Sequence, residues 1–529
     1  MPADIPATTE PESGIPTGFG RKLIGNSMVI GASRAVSILT FVIITPVVIA
    51  RLGLQAYGVW EILLALTAWL AVFDVGISGA ILRFASEAKA KGDIPLAARY
   101  VTFGLCLNGV MALVVGSAAY YGSGALVSRF HVPDAFARQA AQLITLLVVV
   151  AFCRAAVSSV AALIIADHRT GLVAVLNAIG GALGLVVTVA ALSVGHGILS
   201  LGLGQVANVA FAALATLASV AVIYRGSMPR PHLPHWDDVV QLYRYGGLLF
   251  VAQTAALLGE QTDKLVLGYL SDARWVATYA IAVRLAGIVR EFSAFIYGPT
   301  VPAAAALSAI GDWDRIRRLF HGSVIAVSSA TGAVALLIVG LHPRIEVAWL
   351  GRYYPATTPL VIGLVFAFSF HMLTGPGTAI CRGVNRVDIE AAYQAVYLAL
   401  NIALTVTLTA LIGPTGTVVA TIAALASGTA FFLWRLHRVL QLPRATTAIG
   451  LRCLGVAFAV GLTTYASMRA VPMPSARMAA FGQLTVGTVA ALAFYGAALV
   501  LFRILGSSGE SAKCFIGAPC PPSGIGGQQ

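Results

Sequence analysis

Apolar residues fall along this chain in long blocks separated by short polar segments rich in Arg, Gly and Pro. A helix needs about 20 apolar residues to cross the hydrocarbon core. That rule predicts about fourteen membrane spans, near 24–50, 57–81, 100–121, 140–165, 172–194, 200–224, 245–270, 275–305, 319–341, 357–380, 391–412, 416–434, 453–470 and 479–502. Spans five and six are separated only by Gly195-His196-Gly197, and spans eleven and twelve by Gly413-Pro414-Thr415-Gly416. The fold class expected is all-α and polytopic. A β-barrel would alternate apolar and polar residues over strands of about ten, and these blocks do not alternate.

Composition agrees: 58% of the 529 residues are hydrophobic and 10% charged, whereas soluble chains carry about 25% charged residues. A water-soluble enzyme and a disordered chain are both excluded. The net charge of +13 is explained by basic loops rather than by nucleic acid. One set of alternate loops holds 21 Lys and Arg, including Arg83, Lys89, Arg99, Arg315 and Arg382, and the other set holds 8, Arg344 and Arg352 among them. The bias places both termini in the cytoplasm, and an even number of spans requires them on one side. The segments 1–20 and 504–529 read as disordered cytoplasmic tails. The six cysteines form no CxxC pair, and no His stands at metal-ligand spacing, so no metal or cofactor is expected. No loop is long enough for a soluble catalytic domain. Phosphate-loop, HExxH and GxSxG motifs are missing, so the chain is read as a non-enzyme.

The halves echo each other. Gly92-Asp93-x5-Arg99 recurs as Gly311-Asp312-x5-Arg318, 219 residues on. Arg169 matches Arg386 at 217, Gly197 matches Gly416 at 219, and Leu52-Gly53 matches Leu267-Gly268 at 215. The unit is six spans, so the two copies share one orientation. The expected organisation is a first six-helix lobe over 21–225, a linker over 226–243 and a second lobe over 244–440. Two further helices follow over 441–503. Parallel repeats of this kind place a substrate site between the halves near the midplane.

Charge inside a span costs at least about 2.5–3.5 kcal/mol at its centre, so it marks a protein interior or a water-filled cavity. The candidates are Arg34 in span one, Asp74 in span two, Glu260, Asp263 and Lys264 in span seven, and Arg284, Arg290 and Glu291 in span eight. Arg154 in span four and Glu61 near the start of span two complete the set. Spans one, two, seven and eight therefore line the expected cavity. Arg34, Lys264, Arg284 and Arg290 suit an anion such as a pyrophosphate. Asp74, Glu260, Asp263 and Glu291 would hold those cations in the absence of substrate, or bind a coupling ion. Glu260 and Lys264 share a helix face at i,i+4, as do Arg284 and Glu291 seven apart. Structural ion pairing between helices is the alternative reading. Asp74, beside Gly76, is as consistent with ending a helix as with binding an ion. His196, His342 and His371 read as interfacial or packed.

Two stretches carry a resemblance. One is Pro46-Val-Val-Ile-Ala-Arg51-Leu-Gly53-Leu-Gln-Ala-Tyr57-Gly58-Val-Trp60 with the following Asp74-Val-Gly76-Ile-Ser-Gly79-Ala-Ile-Leu-Arg83. The other is Gln261-Thr-Asp263-Lys264-Leu-Val-Leu-Gly268 with Ala277-Thr-Tyr279-Ala-Ile-Ala-Val-Arg284-Leu. Over residues 20–505 the chain resembles the Wzx-type polysaccharide flippases of the multidrug/oligosaccharidyl-lipid/polysaccharide (MOP) exporter superfamily. The resemblance implies two six-helix lobes plus two helices around a cationic cavity that opens to either side of a bacterial inner membrane. It implies cavity arginines at Arg34 and at Arg284 or Arg290. The implied cargo is an undecaprenyl-pyrophosphate-linked oligosaccharide moved to the periplasmic leaflet, with the polysaccharide polymerase machinery as a further partner. A multidrug/cation antiporter on the same fold and a non-transport assembly scaffold are the rival functions.

Overall fold

The computed structural model describes residues 19–501 apart from 71, 226–234 and 475; within these, the side chains of 19–28, 70–77, 244–257 and of 30, 38, 41 and 260 are not described. The described residues form helices and no strands. Eleven helices are long and apolar enough to cross a membrane among the described residues, so the chain is a multi-pass membrane protein.

The helices follow the predicted spans. α1 (Phe19–Leu70) carries span one and the opening of span two, divided at Gly53, whose φ of 85° and ψ of 167° suit glycine best. α2 (Val72–Ala90) completes span two. α3 (Ile94–Arg129), α4 (Asp134–Ala166), α5 (Thr170–Val194) and α6 (Leu199–Ile223) are spans three to six, and α7 (Trp236–Leu270) is span seven. Span eight breaks at Gly298-Pro299 into α8 (Ala273–Tyr297) and α9 (Thr300–Ala309). Span nine is α10 (Trp313–Leu350), which runs past its expected end at 341. Span ten is not one helix either. It is α11 (Thr357–His371), a 3-10 turn over Met372–Thr374 and α12 (Gly375–Gly383), with Pro376 in the first turn of α12. α13 (Val387–Ile412), α14 (Pro414–Val439), α15 (Arg444–Arg469) and α16 (Arg477–Leu501) are spans eleven to fourteen.

Two of the four repeat matches share a backbone geometry. Gly92 and Gly311 adopt φ of 77° and 70°, and the aspartate after each caps the next helix. Asp93 accepts from the Leu96 amide and Asp312 from the Arg315 amide, both at 2.9 Å. Such caps are worth about 1 kcal/mol. Arg169 and Arg386 both precede helices, after His168 and Asn385 at φ of 58° and 56°. The glycine matches differ: Gly53 breaks a helix while Gly268 lies inside α7, and the left-handed glycine opening α14 is Gly413 rather than Gly416.

Packing sets the site. α7 lies against α2 and α13, and α8 lies against α1, α10 and α11. α10 is flanked by α15 and α16. The second half of α1 meets the start of α8 so closely that a Cβ on Gly58 would overlap the Ala273 carbonyl. α5 and α6 pair through Gly184 and Gly204, where a Cβ on Gly184 would lie 2.7 Å from the Gly204 oxygen.

Arg344 corrects the loop count made from sequence. It lies inside α10, 1% exposed, and its guanidinium donates to the Met468 carbonyl and, at 3.0 Å, to the Val471 carbonyl. Those carbonyls stand in the last turn of α15 and just beyond it, where a cation is favoured. Fully buried Glu346, two residues on, accepts from the Tyr354 amide at 3.0 Å and from the Thr357 hydroxyl at the start of α11. His342 is also buried, held between the Val339 carbonyl and Thr358, each at 3.0 Å.

Candidate functional site

A cavity of about 1450 Å3 opens between α1, α8, the end of α10 and α16. It collects Arg34, Lys264, Arg284, Arg290 and Glu291 from the sequence-derived set, and adds Arg51 and Arg477. All four cations proposed from sequence for substrate binding thus line one cavity. Apart from this charge its lining is mostly apolar, with Phe292, Phe295, Trp349 and Phe481 among the larger side chains.

The deepest part of the site is built on Glu61. Four residues after Tyr57 it lies on the same face of α1, with its side chain 1% exposed. One carboxylate oxygen accepts from Lys264 Nζ of α7 at 2.9 Å. The other accepts from the Arg284 guanidinium of α8, which also lies over the Tyr57 ring, 5.7 Å from its centre. Lys264 and Arg284 are each 14% exposed at the side chain. One buried acid therefore answers two cations from two other helices. Sequence spacing had suggested Glu260 as the partner of Lys264; the Glu260 side chain lies outside the described residues, and Lys264 bonds to Glu61. A partner 203 residues away leaves no spacing signal.

A second pair stands at the cavity surface. Arg34 donates to Glu291 at 2.7 Å, with side chains 58% and 52% exposed. Arg284 and Glu291, one face apart by seven residues, therefore pair with other helices rather than with each other. Arg290 lies 4.6 Å from the centre of the Phe368 ring, a cation–π distance.

Asp263 faces the other way. Adjacent to Lys264, it points between α8, α13 and α14 and is 3% exposed. It accepts from the Tyr279 hydroxyl at 2.5 Å, Thr421 at 2.8 Å, Thr405 at 3.0 Å and Asn401 at 3.4 Å. All four donors are neutral, and among the described residues no cation pairs with it. One helix position separates a cavity lysine from this enclosed carboxylate because successive residues point about 100° apart on a helix. The Asp74 side chain, the remaining acid of the set, lies outside the described residues. Among the described residues no group of three or more His, Cys, Asp and Glu converges on a metal position. His371 is packed, against Tyr393 at 3.2 Å and Thr429 at 3.4 Å.

Comparison with known proteins places this geometry. The family described as Polysaccharide biosynthesis protein matches residues 19–308. A relative named "Probable flippase AglR", from Haloferax volcanii, is 22% identical over 446 residues, covering 82% of this chain and 88% of that protein. The lipid II flippase MurJ in its inward closed conformation superposes with a TM-score of 0.66 at 14% identity, over 91% of this chain and 99% of that one. An inward-facing multidrug resistance transporter of the MATE family, in the MOP superfamily, gives 0.60 at 13% identity, over 77% and 95%. Structures that distant from the chain establish its fold.

Proposed function

Because the chain belongs to the polysaccharide biosynthesis protein family, we propose that it is a flippase for a lipid-linked oligosaccharide. The cargo is an undecaprenyl-pyrophosphate-linked repeat unit, carried from the cytoplasmic to the periplasmic leaflet of a bacterial inner membrane by alternating access. Both termini are cytoplasmic, the two lobes are 21–225 and 244–440, and polysaccharide polymerases take up the product. The observation that carries this reading is one cavity with Arg34, Lys264, Arg284 and Arg290 whose acids, Glu61 and Glu291, come from other helices. A pyrophosphate is the anion such a site accepts: arginine binds its oxygens in pairs and lysine as a point charge. In the resting state Glu61 and Glu291 hold the cations. An arriving pyrophosphate exchanges with them, so cations that cross between helices are never left bare.

The lipid tail stays in the bilayer while the head enters the cavity, whose apolar lining borders the charged floor. A drug antiporter for cations would meet like charge here, which disfavours it. The fold of the MATE transporters is shared, but cavity polarity favours an anion. The test is where the sugar head of the lipid-linked unit resides in membranes that lack the chain.

Asp263 is the coupling group in this reading. A buried carboxylate with only neutral donors stays charged at high cost, so a proton or a monovalent cation balances it at some stage of the cycle. Asp263→Asn keeps the shape and removes that charge: its oxygen still accepts, and its NH2 donates to hydroxyls that turn to accept it. In proteoliposomes, translocation by this variant is expected to run at one rate with or without a proton or Na⁺ gradient, while the unsubstituted protein responds to one of them. An Asp263→Asn protein that still responds to the gradient would remove Asp263 from coupling.

A further inference from the structure

A second cavity, of about 600 Å3, lies within the first half of the chain between α1, α4, α5 and α6. That volume is in the range of small-ligand sites, about 300–1,000 Å3. It meets the central cavity, since Ser37 and Arg284 line both. Its polar lining is unlike that of the central cavity. Arg154 of α4 donates to the Gln205 side-chain oxygen of α6 at 2.7 Å, and Asn177 of α5 and Asn208 of α6 also line it. Among the described residues no Asp or Glu lines it.

Two features call for a ligand. Arg154 sits in the middle of a predicted span, and its protein partner among the described residues is a neutral amide. Arg34, Lys264 and Arg284 each have an acid; Arg154 has none among the described residues. A guanidinium offers five N–H donors, and one of them is accounted for by Gln205. With its oxygen taken by Arg154, Gln205 has an NH2 left to donate, and the amides of Asn177 and Asn208 both donate and accept. A cavity with one unneutralised cation, three amides and no carboxylate matches a polyhydroxylated ligand that carries its own negative charge.

We propose that this cavity is the subsite for an acidic sugar of the cargo, a residue bearing a carboxylate. Arg154 receives the carboxylate, and Asn177, Gln205 and Asn208 read the hydroxyls. The inference rests on the flippase reading: with the pyrophosphate near Arg284, the saccharide extends from there into the first-half cavity. In this reading Arg154 selects the cargo.

The test uses the purified full chain in detergent micelles and saturation-transfer NMR with three probes: glucuronate, methyl glucoside and inorganic pyrophosphate. Glucuronate is expected to bind about tenfold or more tightly than methyl glucoside, the size of effect expected for charge-assisted hydrogen bonds. Arg154→Gln is expected to bring glucuronate down to the level of methyl glucoside and to leave pyrophosphate binding unchanged. Asn177→Leu, which removes no hydrogen bond to protein among the described residues, is expected to weaken glucuronate binding with the Arg154–Gln205 contact intact. Equal binding of the two sugars, or glucuronate binding that neither variant changes, would overturn the subsite and leave the flippase reading standing. Displacement of glucuronate by pyrophosphate in an Arg154-dependent way would overturn it too, because the cavity would then be a phosphate site. Glucuronate binding that behaves as expected beside no pyrophosphate binding would uphold the subsite and count against the flippase reading.

Discussion

Glu61→Gln is expected to be the most damaging single substitution in the cavity, with the protein largely lost from the membrane. The carboxylate is 1% exposed and accepts from both Lys264 and Arg284. Removing one partner of a buried ion pair costs about 3–5 kcal/mol, because the remaining charge stays desolvated, and here two cations are stranded together. Arg284→Ala should be milder for stability, since Glu61 keeps Lys264, yet it should abolish export. The double change Glu61→Gln with Arg284→Gln should recover part of the lost stability by removing one of the stranded charges. Thermal unfolding in detergent and the amount of protein in membranes read these outcomes. Wild-type stability and export for Glu61→Gln would mean that Glu61 does not act as the counterion of the site.

Arg34→Ala is expected to separate function from stability. Its pair with Glu291 has both side chains more than half exposed to the cavity, and exposed pairs contribute about 0–1 kcal/mol. The protein should therefore remain in the membrane at normal levels while export falls below detection. A cation that contacts cargo loses its use when truncated, whereas a merely structural exposed pair would leave export intact. Arg34→Lys should keep partial export if a point charge suffices and little if paired contact with a pyrophosphate is needed. Surface polysaccharide beside membrane protein level checks both. Normal export by Arg34→Ala would remove Arg34 from the substrate path.

The sequence carried the fold further than the site. Length and hydropathy placed every helix near its span, because the bilayer sets both the length and the apolarity of a crossing segment. The two divided spans, eight at Gly298-Pro299 and ten before Pro376, were each read as one crossing segment because the sequence stays largely apolar across the break. Spans one and eight, and Lys264 of span seven, were legible as cavity walls because charge in a membrane is costly, whereas span two gives the lining no described residue and the end of α10 and α16 enter it without having been expected. Partner choice was not legible. Helical spacing proposed Glu260 for Lys264 and grouped Arg284 with Glu291, while the contacts run from Glu61 to Lys264 and Arg284 and from Glu291 to Arg34. Those partners lie 203, 223 and 257 residues apart, and only tertiary packing brings them together. Arg344 was taken for a loop residue because nothing in the sequence shows that α10 runs on and delivers it to the end of α15. Nor did the sequence mark the four neutral donors of Asp263, which come from α8, α13 and α14.

The central claim is that this chain carries the head of a lipid-linked saccharide across the membrane. It is tested most directly by the accessibility of that head in sealed, inside-out membrane vesicles from cells without the chain, and from the same cells carrying it or its Arg34→Ala form. A sugar-modifying reagent that cannot cross the bilayer reports the face on which the sugars lie. The expected result is sugars trapped on the cytoplasmic face without the chain and with Arg34→Ala, and cleared from that face when the unsubstituted chain is present. Sugars distributed alike in all three membranes, in cells with no second flippase, would contradict the account.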